Sequence, residues 1–252
     1  AIRCDGELAD CDADLPARTG IGSSSSFTVG LLHALRALKG EIVPRRELMS
    51  QAIRLEQGAM RENVGSQDQA FAACGGFNLI EFRRDGDIVL QPMTLGGERR
   101  QALESHLMLF FTGFSRTASE VAARMIQEMP RRGRELEALG ALVPQAVSVL
   151  ASGDLLDFGR LLHEGWMLKR SLADNISSPE IDRIYETART AGATGGKLLG
   201  AGGGGFLLLF VPPERQNQVR QALERYLYVP FRFDPSGSQI IVHEPEGSGG
   251  AS

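Results

Sequence analysis

The chain has 252 residues, 42% hydrophobic and 23% charged, and a formal net charge of −4. This length and balance suit a globular protein with a real core, in one large domain or two ordinary ones, and an acidic chain offers no electrostatic footing for nucleic acid. Cys4, Cys11 and Cys74 lack CxxC spacing and read as reduced thiols, the four scattered histidines give no zinc pattern, and no apolar run is long enough to span a membrane, so a cytoplasmic protein is expected.

In chain order, residues 1–15 read as the end of a strand or hairpin. Gly20 and Gly22 then permit a tight turn, four hydroxyls follow at Ser23 to Ser26, and apolar residues dominate from Phe27 to Leu38, predicting a helix over 26–39. A glycine turn that feeds a helix N-terminus presents free backbone N–H groups and the positive end of the helix dipole, and so favours an anion such as phosphate. The turn is not a Walker A loop, because no Gly-Lys-Ser/Thr follows, nor a dinucleotide fingerprint, because Ser25 stands where the third glycine would be.

A second helix is predicted over 45–60, started by Pro44. Phe77–Phe82 and Asp87–Gln91 read as strands around an Asp85-Gly86 hairpin turn. Leu95-Gly96-Gly97 reads as a linker, and Leu107–Phe111 as a buried strand. Helical patterns dominate 115–192, with breaks near Pro130–Gly133, Ser152-Gly153 and Ser177–Pro179. Phe206–Val211 is a continuous apolar strand, followed by a helix over 214–227 and a last strand at Gln239–Val242. The sum is an α+β chain with domains at 1–96 and 97–246 and a small-residue tail at 247–252 that reads as disordered.

Two further stretches carry chemistry. Gly200-Ala201-Gly202-Gly203-Gly204-Gly205 satisfies GxGxxG on paper, yet a strand follows it where a dinucleotide site needs a helix. By itself such a run fits a close-packed backbone crossing equally well. Glu56, on a predicted helix, and Asp68, in Gly65-Ser66-Gln67-Asp68-Gln69, supply carboxylates. Asp68 could orient or deprotonate a hydroxyl, and Glu56 could hold magnesium, which takes few carboxylates together with phosphate oxygens. Singly, each reads as a solvated helix charge. Arg116, Arg124, Arg131, Arg132 and Arg134 likewise read as solvated, and Trp166 and Met167 as core.

Together and in this order, Pro16 to Ser26, Asp68 within Gly65–Gln69, and Lys197 to Phe206 resemble the three corresponding elements of the GHMP kinases. A narrower resemblance, over about residues 14–245, is to the D-glycero-D-manno-heptose 7-phosphate kinases. It is carried by Asn63-Val64-Gly65-Ser66-Gln67-Asp68-Gln69, by Phe111-Thr112-Gly113-Phe114-Ser115-Arg116, and by Ser178-Pro179-Glu180-Ile181-Asp182 leading to Gly195-Gly196-Lys197.

The resemblance implies a two-domain fold, with a partial ribosomal-protein-S5-like N-terminal domain and a ferredoxin-like C-terminal one. It implies ATP as donor and Mg2+ as cofactor, with a sugar phosphate as the small-molecule partner and neither nucleic acid nor membrane. Gly20, Gly22, Ser23, Ser24 and Ser25 would cradle the phosphates, joined by Gly202, Gly203 and Gly204. Ser24 and Glu56 would hold the metal, and Asp68 would be the catalytic residue. The reaction implied is phosphorylation of the anomeric hydroxyl of D-glycero-D-manno-heptose 7-phosphate to the 1,7-bisphosphate, in nucleotide-activated heptose biosynthesis. A kinase for a free sugar such as fucose, or a non-catalytic nucleotide- or sugar-binding relative, stays open. Nothing in residues 1–15 resembles the family's first motif, so the reading expects a chain that lacks an N-terminal segment. Its sheet would then be open at an edge, with a homodimer as a natural consequence.

Overall fold

The computed structural model describes residues 19–113 and 118–241. The strand expected within 1–15, Arg116 and the tail at 247–252 lie outside the described residues. By internal contacts the chain forms two compact units. The first holds Gly22–Phe77 and returns at 234–241; the second holds 19–21 and Asn78–Phe233. This division puts the 78–92 hairpin with the second unit, where the sequence places it in the first, and it returns 234–241 to the first unit.

The first unit is helical. Helix α1 spans Ser23–Leu38 and α2 spans Arg45–Ile53. A π-helical segment, Arg54–Ala59, continues α2 and contains the wide Met60 N–H to Leu55 C=O bond of 2.9 Å. Arg61, at φ +55°, stops it, and α3 spans Gln67–Cys74. Val29, Leu48, Met49, Ala52, Ala70 and Ala73 form the interior, and the three alanines allow the helices to approach closely. Helix α1 begins three residues earlier than the apolar pattern predicts. The serines are poor in helix interiors but acceptable in a first turn, so they form that turn instead of preceding it.

The second unit opens on a two-stranded hairpin, β1 (Asn78–Phe82) against β2 (Ile88–Pro92), turning at Gly86. Helix α4, Gly97–His106, follows. The sequence reading places a linker at 95–97 and assigns no element to 98–106, where Leu103 is the one buried apolar residue. Then come β3 (Leu107–Phe111), α5 (Ala118–Glu128), a 3-10 turn at Met129–Arg131, α6 (Gly133–Ser152), α7 (Leu155–Arg170) and α8 (Pro179–Thr190). Strands β4 (Gly195–Leu198) and β5 (Phe206–Phe210), helix α9 (Gln216–Ala222) and β6 (Leu227–Val229) complete it. The helix expected to reach 227 therefore stops at 222 and gives way to a strand. Residues 239–241 form no strand.

The four-stranded sheet is antiparallel in the order β4-β5-β3-β6. Numbered by their order in the unit after the hairpin, these strands run 2-3-1-4, which is the ferredoxin-like arrangement. Helix α8 shows how the core is built. Ser178 caps it by accepting from the Ile181 N–H at 3.3 Å, Pro179 occupies its first position, and Ile181, Ile184, Tyr185 and Ala188 form one buried stripe. That stripe packs with Met108, Phe110, Leu198, Leu207, Leu209 and Trp166, and Met167 lies against the same cluster. Asp182 is held by Arg170 and Ser177, both at 2.6 Å, so the Ser178–Asp182 motif caps the helix and anchors an ion pair. Arg124, Arg131 and Arg134 are exposed, and Arg132 pairs with Glu135 at 3.4 Å.

Candidate active site

Helix α1 starts without a side-chain cap. Its N-cap is Gly22, at φ +77°, and its first turn carries no acidic residue. The first helical bond is Ser26 N–H to Gly22 C=O at 2.8 Å, so the amides of Ser23, Ser24 and Ser25 precede the intrahelical ladder. Three outward amides at the positive end of a 16-residue helix favour a bound anion. Glycine is favoured at position 22. A Cβ there would lie 3.3 Å from the Asp68 carboxyl carbon, in a left-handed backbone conformation that side chains disfavour.

Asp68 sits in the first turn of α3, exposed. The preceding loop is tied down by Gln57, whose amide donates to the Val64 carbonyl at 2.9 Å and the Ser66 hydroxyl at 3.2 Å. The start of α3, and with it the carboxylate, is therefore fixed beside the start of α1. The neighbouring Gly65 has open space around it, so packing does not demand a glycine there.

Glu56 is 2% exposed, and both of its carboxylate oxygens accept hydrogen bonds. Oε2 accepts from Ser25 Oγ at 2.9 Å and from the Gln69 amide, and Oε1 accepts from Thr28 Oγ1 at 3.0 Å. Three elements meet here: Ser25 and Thr28 share a face of α1, Glu56 lies on the π-helical segment, and Gln69 adjoins Asp68. A buried carboxylate is tolerated when both of its oxygens are hydrogen-bonded in this way. Sequence reasoning selects Glu56 but misses Thr28 and Gln69. Their signal was faint: one polar residue a turn after the serines, another beside the aspartate.

The proposed metal pair is not assembled in this structure. The serine that reaches Glu56 is Ser25; Ser24 is exposed. In kind, hydroxyl and carboxylate oxygens suit magnesium. In arrangement, Glu56 would have to exchange a hydrogen bond to bind it. Among the described residues no group of three or more His, Cys, Asp or Glu side chains could hold a metal ion.

The remaining predicted residues lie in the second unit. The segment 199–205 joins β4 to β5, and Gly200 and Gly202 through Gly205 all have positive φ. A Cβ at Gly205 would lie 2.0 Å from the Thr19 carbonyl oxygen, and one at Gly200 2.6 Å from the Gly20 Cα. Thr112 donates to the Gly205 carbonyl through both its amide, at 2.9 Å, and its hydroxyl, at 2.8 Å. Gly203 donates its amide to the Ile176 carbonyl at 2.9 Å, so that N–H is already committed. The run is a close-packed backbone crossing: it clamps Thr19 and Gly20, from which the chain enters the first unit at Gly22.

Comparison with known proteins agrees with this architecture. The family described as GHMP kinases N terminal domain matches residues 5–76, and GHMP kinases C terminal matches residues 144–229, together more than half of the chain. A D-glycero-alpha-D-manno-heptose 7-phosphate kinase from Campylobacter jejuni is 30% identical over 216 residues, covering 84% of this chain and 63% of that protein. An L-fucokinase/L-fucose-1-P guanylyltransferase from Bacteroides fragilis is 25% identical over 249 residues, 90% of this chain and 25% of that protein. Among solved structures, a D-glycero-D-manno-heptose 1-phosphate kinase from Bacteroides thetaiotaomicron superposes with a TM-score of 0.66 at 28% identity, covering 89% of this chain and 64% of that one. The chain thus spans less than two thirds of the length of these relatives. It belongs to the GHMP kinase family and has that family's two-domain α+β fold.

Proposed function

We propose that this chain is an ATP- and magnesium-dependent sugar kinase that phosphorylates the anomeric hydroxyl of D-glycero-D-manno-heptose 7-phosphate. The observation that carries the proposal is the uncapped first turn of α1 set against the Asp68 carboxylate. It pairs an anion-receptive surface with a proton acceptor at one place. The Campylobacter jejuni relative supports the choice of heptose substrate.

In this reading the amides of Ser23, Ser24 and Ser25 hold the ATP phosphates. Asp68 orients the acceptor hydroxyl and takes its proton as the oxygen bonds to the γ-phosphorus. The bond from that phosphorus to the β–γ bridging oxygen breaks, and ADP leaves. Ser24 and Glu56 would hold magnesium only once Glu56 exchanges one of its hydrogen bonds, and the ion would then neutralise phosphate charge. Gly20 and Gly22 give the turn its shape, and Gly202 and Gly204 are proposed nucleotide contacts through their backbones. Gly203 serves by packing, since its amide is already used. Little covalent work is asked of the protein, because positioning and charge stabilisation supply most phosphoryl-transfer catalysis.

The test is ADP release in the presence of heptose 7-phosphate, with and without Asp68→Asn. Release that depends on the sugar and disappears in the variant supports the proposal, and equal turnover by the variant removes Asp68 from the mechanism. The Bacteroides fragilis relative makes L-fucose the second acceptor to assay.

A further inference from the structure

Glu56 can reach a metal only by giving up a hydrogen bond, and a neighbouring side chain holds the replacement. The two carboxylate oxygens are used differently. Oε1 accepts from Thr28 Oγ1 at 3.0 Å, whereas Oε2 accepts both from Ser25 Oγ at 2.9 Å and from the Gln69 amide. Ser25 on α1 and Gln69 on α3 therefore meet at one oxygen. All of these residues lie in the first unit and are buried, Gln69 completely.

Gln69 has more hydrogen-bonding capacity than the folded chain uses. Its Nε2 donates to Glu56, but its Oε1 is buried and has no hydrogen-bond partner among the described residues. An unsatisfied buried carbonyl destabilises a fold, and a methionine of similar size would fill the place without that cost. The terminal amide turns on a soft, roughly two-fold torsion. A half-turn puts Oε1 where Nε2 now stands, on the side shared with Ser25. Glu56 itself lies on the π-helical segment Arg54–Ala59, a form that recurs within helices at functional sites.

We infer that Gln69 is a positioning residue for the Glu56 carboxylate: its Oε1 takes over the Ser25 hydroxyl when Glu56 Oε2 leaves that hydroxyl for a metal ion. The inference rests on the metal assignment in the kinase reading above. Without Gln69, withdrawal of Oε2 leaves the Ser25 O–H buried and without an acceptor. With it, the hydroxyl keeps a partner, Thr28 goes on holding Oε1 of Glu56, and the Gln69 carbonyl gains the donor it lacks. The Gln69 amide gives up its own bond to Oε2 in the same movement. Ser25 thus releases Glu56 toward the metal, whereas Ser24 is the hydroxyl proposed to hold it.

The test is titration of Mn2+, a paramagnetic substitute for magnesium, into the 252-residue chain saturated with ADP, followed by electron paramagnetic resonance. Wild type, Gln69→Met, Ser25→Ala and the double variant are compared. Gln69→Met should weaken Mn2+ binding by about 5- to 100-fold, the range for one buried polar group left unpaired. In the Ser25→Ala background no hydroxyl needs a new acceptor, so the same change should alter Mn2+ affinity by less than about twofold. Equal losses in the two backgrounds would mean that Gln69 only packs, and they overturn the inference. So does wild-type Mn2+ affinity in Gln69→Met. Thermal melts of the metal-free chain give a second readout. Gln69→Met should melt close to the wild type, because Ser25 and Thr28 still occupy both Glu56 oxygens and the unpaired carbonyl is gone. A melting temperature lowered by more than about 5 °C overturns the claim that Oε1 is unspent, and the inference with it. Wild-type Mn2+ affinity in Glu56→Gln overturns the inference together with the metal assignment, while sugar-dependent ADP release still decides the kinase reading.

Discussion

Replacing Gly22 with alanine separates the backbone role of this residue from its role beside Asp68, provided Gly40→Ala is measured with it. Both glycines have positive φ, +77° and +71°. A Cβ at position 40 meets nothing within 4 Å, whereas one at position 22 lies 3.3 Å from the Asp68 carboxyl carbon and 3.5 Å from its Oδ2. The left-handed conformation costs alanine about 1–2 kcal/mol, offset by about 0.4–1 kcal/mol from the stiffer unfolded chain. Each variant should therefore lose roughly 0.5–1 kcal/mol and melt about 1–4 °C lower. Only Gly22→Ala also forces the carboxylate to move by a few tenths of an ångström and narrows the anion-receptive turn. Misplacement of a reacting group by about 1 Å costs on the order of 100-fold, so a loss of roughly tenfold or more in kcat is expected from this smaller shift. The assay is coupled ADP release with heptose 7-phosphate, next to thermal melts of both variants. If Gly22→Ala turns over as fast as Gly40→Ala, the placement of Asp68 against the turn has no catalytic meaning.

Glu56→Ala strips three buried donors of their acceptor and should cost several kcal/mol at about 1–3 kcal/mol per orphaned group; chemical denaturation would show a lowered midpoint, with Glu56→Gln milder. Gly205→Ala should destabilise by about 2–5 kcal/mol, the sum of left-handed strain and overpacking against the Thr19 carbonyl, while Gly65→Ala leaves the melting temperature unchanged. Burial, aided by neighbouring arginines, pulls the pKa values of His33 and His163 below 6.5. The unfolded chain therefore binds more protons than the folded one as pH falls below 6.5, and stability should drop in that acid window. His163→Gln should flatten the drop in stability-versus-pH curves. Tyr185, desolvated in the core and bonded to His163 at 2.8 Å, has its phenol pushed up to about 12, so an ultraviolet absorbance titration should show one tyrosine ionising far later than a free phenol.

The fold was legible wherever one face of an element is clearly apolar. The Ile181, Ile184, Tyr185 and Ala188 stripe and the continuous runs at Leu107–Phe111 and Phe206–Phe210 announce their elements because burial selects those residues. Helix α4 escaped because its charged surface leaves Leu103 as the lone buried position. Strand β4 escaped because Gly195 and Gly196 carry no β signal; what fixes them as strand is pairing with Phe210 and Leu209. The last strand was misplaced because Leu227–Val229 and residues 239–241 are both short and apolar, and pairing with Leu109–Phe111 decides between them.

For the site, sequence spacing selects residue types but cannot assign a rotation about the helix axis, and that is the whole difference between Ser24 and Ser25. Successive residues point about 100° apart around a helix, so four serines in a row offer every direction. The choice is made by what α1 packs against. Val29 and Thr28 are buried, the face they define includes Ser25, and Glu56 lies under that face. Ser24 is left outward, exposed beside the amides proposed to receive an anion. A carboxylate already held by Ser25, Thr28 and Gln69 keeps α1, the π-helical segment and α3 in register without any ligand. It therefore places the Ser23–Ser25 amides and Asp68 relative to one another with no ligand bound. Glu56→Gln tests this directly. The amide cannot accept at both of its ends, so nucleotide affinity should fall even in the absence of magnesium. An effect seen only when magnesium is present would instead make Glu56 purely a metal ligand.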